Sequence, residues 1–358
     1  MRRRLSLAGL RFGLALLITL ASRIAGQAQA PVYFLPGLAE SPGIWNTSGP
    51  SLAATYNITA SYPYLPSTDR LVTQWNSLGT VPTTAYLVGH SNGGLVARYA
   101  AQQQSVAGVI TFGTPNFGAP IVNLFPDFCF FLGGTTYDFL SALVAIDPAT
   151  DQWIVDEIEP NADWVVELFS ATCDGLATAL AGLGTDAAAD DAGNSAFINS
   201  LDDPDHIATE QAHAGTEVSV VVTTDDWLDA GWLKALLPDS FGTAESWGQI
   251  VQWTGVTLNG IAAYLQLNYP DDWHYMDLSE HFFDVGEDLL FADQAWCQVV
   301  TGYLYFCPAN DELIPQWSQD SGHGQTVFVG AAVVHQREAQ DGSTLLAPGF
   351  DAAGLGRR

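Results

Sequence analysis

The stretch Thr83–Arg98, TTAYLVGHSNGGLVAR, decides the fold of this chain. Its apolar first half predicts a strand and its second half predicts a helix, and the turn Gly89–Gly93 joins the two. This turn fits the pattern G-x-S-x-G, with Ser91 at its centre. In such an elbow the serine lies in a strained strand-to-helix turn, with its hydroxyl exposed above a sheet. The pentapeptide alone is equally typical of a surface turn, but the strand before it and the helix after it favour a nucleophilic serine.

Strand-like and helix-like segments alternate on both sides of this elbow. Apolar runs predict strands at 32–35, 56–61, 85–89 and 106–112, and a helix at 92–103. Two later runs predict further strands at 217–224 and 326–329. Alternation at this spacing predicts an α/β fold with a mostly parallel sheet and helices on both faces.

The chain of 358 residues is long enough for one large domain with insertions. We assign residues 31–120 and 297–347 to the core, together with the strand at 217–224. Residues 121–216, which include an aromatic-rich stretch and helix-like segments up to residue 183, are interpreted as an inserted helical cap. Residues 225–296 look irregular and are interpreted as a second cap region, although the apolar residues of both regions could simply close the core. The small and polar tail 348–358 is expected to be disordered.

Residues 1–30 have the features of a secretory signal peptide. A basic start is followed by the apolar run 12–21 and by Ala28-Gln29-Ala30, which fits an A-x-A cleavage site. The segment holds five of the eleven basic residues and no acidic residue, so its removal takes the net charge from −28 to −33. This charge would repel nucleic acid. We expect a secreted protein, extracellular or periplasmic, with no transmembrane segment and an oligomeric state that the sequence leaves open.

Four cysteines in an exported chain suggest two disulfides. Three pairings are possible, and we favour the most local one, Cys129 with Cys173 and Cys297 with Cys307. Four buried free thiols remain the alternative.

A serine hydroxyl needs a base to become a nucleophile, and the base needs a carboxylate to orient it. In this fold the chain order is serine, acid, histidine. Ser91, Asp311 and His335 supply that order, and His335 follows the last predicted strand. Among the other histidines, His90 is too constrained beside the serine, and His323 lies in a glycine-flanked polar turn.

The remaining histidines precede Asp311 and break the chain order: His206, His213, His274 and His281. For the acid, Asp225, Asp226 and Glu312 are rivals of Asp311. The oxyanion would be held by the amide that follows the nucleophile and by one from the loop after the first strand. These amides belong to Asn92 and Leu38.

Three motifs carry a resemblance to the α/β-hydrolase superfamily, and within it to the secreted bacterial lipases and lipase-like esterases. The elbow Gly89–Gly94 resembles their G-H-S-x-G-G, and the segment 113–118 is similar to their G-T-P-x-x-G. The segment 311–319, DELIPQWSQ, resembles their D-x-x-V-P-x-x-S-Q, whose aspartate is the triad acid. The family usually has His-Gly where this chain has Pro36-Gly37. Some members also bind calcium through an aspartate after the triad histidine, where this chain offers Arg337.

The resemblance implies a serine hydrolase that cleaves carboxylic esters of lipid-like substrates, acting at a lipid–water interface or on dispersed esters, without a cofactor or a metal. Apolar side chains between 121 and 183 would then bind the acyl chain. An acyltransferase or a polyester depolymerase would use the same triad. A catalytically inactive hydrolase fold that serves as a binding protein is the alternative from another class.

Overall fold

The computed structural model describes residues 29–124, 135, 152, 154, 186–223, 244–301, 314–330 and 335–357. Its strands are β1 (Ala30–Leu35), β2 (Ile58–Ser61), β3 (Tyr86–His90), β4 (Gly108–Phe112), β5 (Glu217–Thr223) and β6 (Gln325–Gly330). Its helices up to β5 are a 3-10 turn (Pro42–Trp45), α1 (Ser48–Thr55), α2 (Leu71–Leu78), α3 (Asn92–Gln103), α4 (Asp186–Asp191), α5 (Ala196–Leu201) and α6 (Pro204–His213). The later helices are α7 (Ala244–Asn268), α8 (Trp273–Thr301), α9 (Gln316–Gln319), α10 (His335–Leu345) and α11 (Ala347–Ala352).

The six strands form one parallel sheet in the order β2-β1-β3-β4-β5-β6. The α/β class with a mostly parallel sheet is thereby confirmed, and each predicted strand corresponds to an observed one. The strand order reverses between β1 and β3, because the chain first builds outward to β2 and then returns to the other side of β1. Loops that leave neighbouring strands at such a switch point diverge and open a crevice at the carboxyl edge of the sheet.

Helices cover both faces of the sheet because its strands bury alternate side chains on opposite sides. One face of β1, β3 and β4 contributes Phe34, Val88 and Ile110 to a core shared with α1, α10 and α11. The other face contributes Leu35, Leu87 and Val109 to a core shared with α2, α3 and α5. Because the sheet is buried on both faces, its central strands are apolar along nearly their whole length.

The second core contains residues that the predicted domain boundaries place in the cap. Residues 196–214 were assigned to the cap, but Ile198, Leu201 and Ala214 are buried in the core against α3. The physical reason is that Ile198 and Leu201 of α5 belong to the same buried cluster as the small residues of α3, so this segment packs on the sheet.

The secondary structure of residues 244–301 also differs from the sequence prediction, in which 225–296 are irregular. They form a hairpin of two long helices, α7 and α8. Its seam repeats at helical spacing: Leu258, Ile261, Ala262 and Leu265 on α7, with Leu278, Phe282, Val285 and Leu289 on α8. The two backbones approach closely where Gly255 faces Gly286, since a Cβ on Gly255 would lie 2.9 Å from the Gly286 carbonyl oxygen.

The C-terminal tail was expected to be disordered, and this prediction is wrong for the described residues 348–357. Helix α11 begins with Pro348 in its first turn and buries Phe350 completely against the first core. Arg357 then pairs with Asp351, and the Tyr56 hydroxyl donates to the Asp351 carboxylate at 3.0 Å. The segment is ordered because Phe350, Ala353 and Leu355 are all buried in the first core, and the burial of Phe350 alone stabilises the fold by roughly 2 kcal/mol.

Several predictions lie outside the described residues. These are the signal peptide, three of the four cysteines (Cys129, Cys173 and Cys307) and the helix-like segments of 137–146 and 164–183. Cys297 is buried on α8, and its pairing with Cys307 stays a prediction. Among the helices that the structure describes, none combines the length and the apolar character that a bilayer crossing requires.

Candidate active site

Ser91 occupies the turn between β3 and α3 in a strained backbone conformation, with φ 52° and ψ −129°. A residue with a Cβ adopts a positive φ at a cost of about 1–2 kcal/mol. The neighbouring positions lack a Cβ for a steric reason. A Cβ on Gly89 would overlap the backbone of Gly93, and one on Gly93 would overlap the carbonyl of Pro36. The sequence pattern therefore encodes a sharp elbow that presents Ser91 at the carboxyl edge of the sheet.

The loop after β1 lies directly against this serine. A Cβ on Gly37 would come within 2.9 Å of the Ser91 Cβ. The Gly37 amide donates to the Glu40 carboxylate at 2.6 Å, which folds the loop back on itself. Among the described residues, the Leu38 amide donates to no acceptor. Asn92 is the first residue of α3, and the first N–H groups of a helix have no acceptor within that helix. Two amides without an acceptor among the described residues thus lie close to Ser91 along the chain, Asn92 next to the serine itself and Leu38 next to Gly37, which faces it.

The side chain of Asn92 is held by a carboxylate that the sequence did not single out. Its amide nitrogen donates to both oxygens of Asp191, at 2.8 and 3.0 Å, while its own carbonyl oxygen has no partner among the described residues. Asp191 is fully enclosed, and burial, with a contribution from the charge of Asp190, raises its pKa to about 8 in spite of the hydrogen bonds from Asn92. The hydrogen bonds between Asn92 and Asp191 therefore connect helix α4 to the elbow.

Replacing Asp191 by asparagine should flatten the pH dependence of stability between about pH 4 and pH 8. Because the pKa of Asp191 is raised in the folded protein, its contribution is fully present below the pKa of the unfolded chain. It declines as pH rises, by up to about 1.4 kcal/mol per unit. An asparagine would stay neutral, accept from Asn92 and donate to the Asn92 carbonyl. Urea unfolding at pH 5 and pH 8 should show the variant gaining on the wild type at the higher pH.

Asp190→Asn is the matched control, since it removes the charge of a neighbouring carboxylate that accepts from Arg70 at 2.6 Å and from the Leu71 amide at 3.0 Å. This control is expected to lose stability at both pH values and to keep most of the wild-type dependence on pH, because burial, and only to a smaller extent the charge of Asp190, raises the pKa of Asp191. An Asp191→Asn variant whose stability falls with pH as steeply as that of the wild type would contradict the assignment.

His90 is a buried imidazolium between two carboxylates. Its Nδ1 faces Glu40 Oε2 at 3.2 Å, and its Nε2 faces the His335 carbonyl oxygen at 3.0 Å and Glu338 Oε2 at 3.4 Å. Both ring nitrogens face acceptors only, so both carry hydrogen. Burial opposes this charge, but Glu40 and Glu338 outweigh burial and raise the pKa of His90 to about 10. His90 thereby links the elbow to the start of α10.

His335 is the first residue of α10, is 4% exposed and packs beside the elbow. Its ring lies 4.8 Å from the ring of His90, centre to centre, and its Cε1 would lie 3.2 Å from a Cβ on Gly113. Because the Ser91 amide donates to the Phe112 carbonyl oxygen at 2.9 Å, Ser91 and His335 both border the end of β4. The structure brings these two predicted residues into the same region.

The third predicted residue, Asp311, lies outside the described residues, as do its rivals Asp225, Asp226 and Glu312. The carboxylate described beside His335 is Glu338, one helical turn further along, with its Oε2 at 3.6 Å from His335 Nδ1. This separation permits an ion pair but is too long for a hydrogen bond. Glu40, Asp191 and Glu338 were all missed by sequence reasoning. Only Glu338 could have been identified from the sequence, because it stands three residues after the candidate base His335.

The segment that contains Asp311 is braced at its far end. Ser318 Oγ donates to the Gly118 carbonyl oxygen at 2.6 Å, and the Gln319 carbonyl oxygen accepts from Asn116 at 2.6 Å. The Gln319 side chain also accepts from the Val222 amide at 2.7 Å and donates to the Ile314 carbonyl oxygen at 3.1 Å. The Ser-Gln pair and the segment 113–118 are therefore joined to each other at the carboxyl ends of β4 and β5.

The parallel sheet, its switch point and the strained serine after β3 define an α/β-hydrolase fold. The chain matches no protein-family model and no curated protein. Its structure is similar to that of the mature form of the Bacillus licheniformis lipase BlEst2, with 14% sequence identity and a TM-score of 0.43. That similarity covers 91% of this chain and 92% of the lipase chain.

Proposed function

We propose that this protein is a secreted serine hydrolase that cleaves carboxylic esters of lipid-like substrates, as a lipase or a carboxylesterase. The observation that supports it most is Ser91 itself, which has a positive φ between β3 and α3 with two unsatisfied amides beside it. A chain maintains such strain at a non-glycine residue where the surrounding structure over-determines it, and such positions cluster at active sites.

In the proposed mechanism, His335 removes the Ser91 proton as Oγ attacks the ester carbonyl carbon. The amides of Leu38 and Asn92 donate to the developing oxyanion, and each such donor contributes about 3 kcal/mol of transition-state stabilisation. The carbon–oxygen bond to the alcohol then breaks, and the His335 imidazolium gives its proton to the departing alkoxide. The same histidine next activates water, which attacks the acyl-enzyme and releases the acid with Ser91 restored.

Asp311 is proposed as the carboxylate that orients His335. It stands three residues before Ile314, whose carbonyl is held by Gln319 at the end of β5. The proposed role is compatible with the short chain between these two residues, since three residues span at most about 10 Å. Glu338 is already engaged by the charge of His90, so its proposed role is to keep the elbow and α10 together.

Labelling with a fluorophosphonate probe tests the proposal directly. We expect one adduct per chain, located by mass spectrometry on the peptide that contains Ser91, and none in Ser91→Ala. A chain that takes up no probe while remaining folded would favour the non-catalytic binding protein. Hydrolysis rates for short and long acyl esters, with and without an added alcohol acceptor, then separate a hydrolase from an acyltransferase.

A further inference from the structure

Three potential ligand side chains from three different elements converge at the amino edge of the sheet, on the side opposite to Ser91. Glu210 lies on α6, Glu217 is the first residue of β5, and His323 stands two residues before β6. His323 Nε2 is 3.5 Å from Glu210 Oε1 and 3.5 Å from Glu217 Oε2. The three side chains are only 1%, 9% and 7% exposed.

The imidazole is oriented as a ligand. His323 Nδ1 donates to the Ser321 carbonyl oxygen at 2.8 Å, and in a neutral ring this leaves the lone pair on Nε2. His323 Nε2 and Glu217 Oε1 are both buried, and neither has a hydrogen-bond partner among the described residues. A backbone carbonyl on the far nitrogen is the usual support of a metal-binding histidine. His323 Nε2 is therefore a buried nitrogen that faces two carboxylates without a hydrogen bond to either, a position that a metal ion or a proton would occupy.

The spacing of the ligand atoms fits a metal ion. Ligands arranged tetrahedrally at about 2.1 Å from zinc lie about 3.4 Å from one another. The two separations of 3.5 Å match this value and are too long for hydrogen bonds. All three ligand atoms lie within 4.8 Å of one another.

The surrounding charges also favour a cation. Arg98 is buried and pairs with Glu210 at 3.1 Å and with Asp202 at 3.0 Å. With Glu217, three carboxylates surround one guanidinium, so negative charge is in excess. Arg98 Nε donates to Glu210 Oε1, the same oxygen that faces His323, and so fixes this carboxylate as outer-shell donors do at metal sites.

We propose that Glu210, Glu217 and His323 bind a divalent transition-metal ion, best matched by zinc, with water completing the coordination. An imidazole with two carboxylates suits zinc better than calcium or magnesium, which prefer oxygen ligands alone. The ion would tie α6, β5 and the turn before β6 together, and it would therefore stabilise the fold without touching the reaction at Ser91. The exposed residues Gly322 and Gly324 flank His323 and give the ion a route of entry.

The test uses the full chain, stripped of metal with a chelator and then dialysed against zinc at pH 7.5. We expect about one zinc per chain by plasma mass spectrometry, and a midpoint of thermal unfolding raised by roughly 4 °C or more. Cobalt should give the visible absorption of a tetrahedral site. His323→Asn and Glu217→Gln should each weaken zinc binding by at least about 100-fold.

His206→Asn is the control, because His206 is an exposed histidine on the same helix as Glu210, and it should bind zinc as the wild type does. Protons compete for the same ligands, so binding should fall below about pH 6. A proton on His323 is the competing occupant. In that case the stripped wild type would take up no zinc and its unfolding midpoint would not respond, which would overturn the proposal. Retention of zinc by both His323→Asn and Glu217→Gln would also overturn it.

Discussion

Replacing Ser91 by alanine is expected to lower kcat for a chromogenic acyl ester by at least about 10⁴-fold. The proposed reaction proceeds through an acyl-enzyme on Ser91 Oγ, and alanine has no hydroxyl to form it. The amides of Leu38 and Asn92 would remain, so a residual rate above that of water is expected from oxyanion stabilisation alone. KM should change little, because Oγ contributes to the transition state rather than to binding.

The control for this variant is Ser51→Ala, which removes an exposed hydroxyl on α1 and should leave both constants unchanged. Thermal unfolding should show that both variants are folded, since alanine at 91 keeps the backbone of the elbow. Turnover by Ser91→Ala within about tenfold of the wild type would exclude the acyl-enzyme mechanism.

Replacing Asp311 by asparagine is expected to lower kcat by about 10⁴-fold with little change in KM. An amide at this position would favour the wrong tautomer of His335 and could not stabilise the imidazolium formed as Ser91 reacts. Glu338→Gln should act differently, because Glu338 faces the charged His90 at 3.4 Å. Removing this carboxylate leaves a buried charge with one partner fewer, and we expect a loss of stability of about 3 kcal/mol.

The comparison between these two variants decides which carboxylate serves His335. At a temperature where both are folded, Glu338→Gln should retain at least about one tenth of the wild-type kcat, far more than Asp311→Asn. Glu312→Gln, next to the proposed acid, is the matched control and should behave as the wild type. The reverse ranking, with Asp311→Asn active and Glu338→Gln inactive, would transfer the role to Glu338.

The sheet could be predicted because each of its strands is a short apolar run bounded by turn residues.

The elbow could be predicted because its geometry depends on residues within the motif itself. Gly89 and Gly93 are required by backbone contacts within the motif and with the loop after β1, so the local sequence carries the geometry. Ser91 and the region of His335 followed from this elbow and from the chain order.

The helical hairpin could not be predicted in the same way. Its first helix contains Thr254, Val256 and Thr257, which have low intrinsic helix propensity, and a glycine at 255. Its stability comes from the seam between α7 and α8 and from the close approach at Gly255 and Gly286. This is a tertiary effect, and a single sequence shows it only as one apolar stripe among several.

The carboxylates around the elbow escaped prediction because their partners are distant in sequence. Asp191 meets Asn92 across 99 positions, and Glu40 meets His90 across 50. His323 was set aside as a base because of its polar turn, and the structure indeed places it at the opposite edge, beside Glu217. In the sequence, an acidic residue that pairs with a buried histidine or amide cannot be distinguished from one on the solvated surface.

Strands β5 and β6 are neighbours in the sheet, paired from Val218 with Gln325 to Thr223 with Gly330, although residues 224–324 separate them along the chain. The hairpin of α7 and α8 within this interval packs chiefly on itself, whereas residues 314–323 return to the sheet through Ser318, Gln319 and His323. Length or composition can change in the hairpin without disturbing the pairing of the strands. We therefore expect homologous genes to diversify most between residues 244 and 301, while the frame around Ser91 and the segment from 311 to 323 are retained.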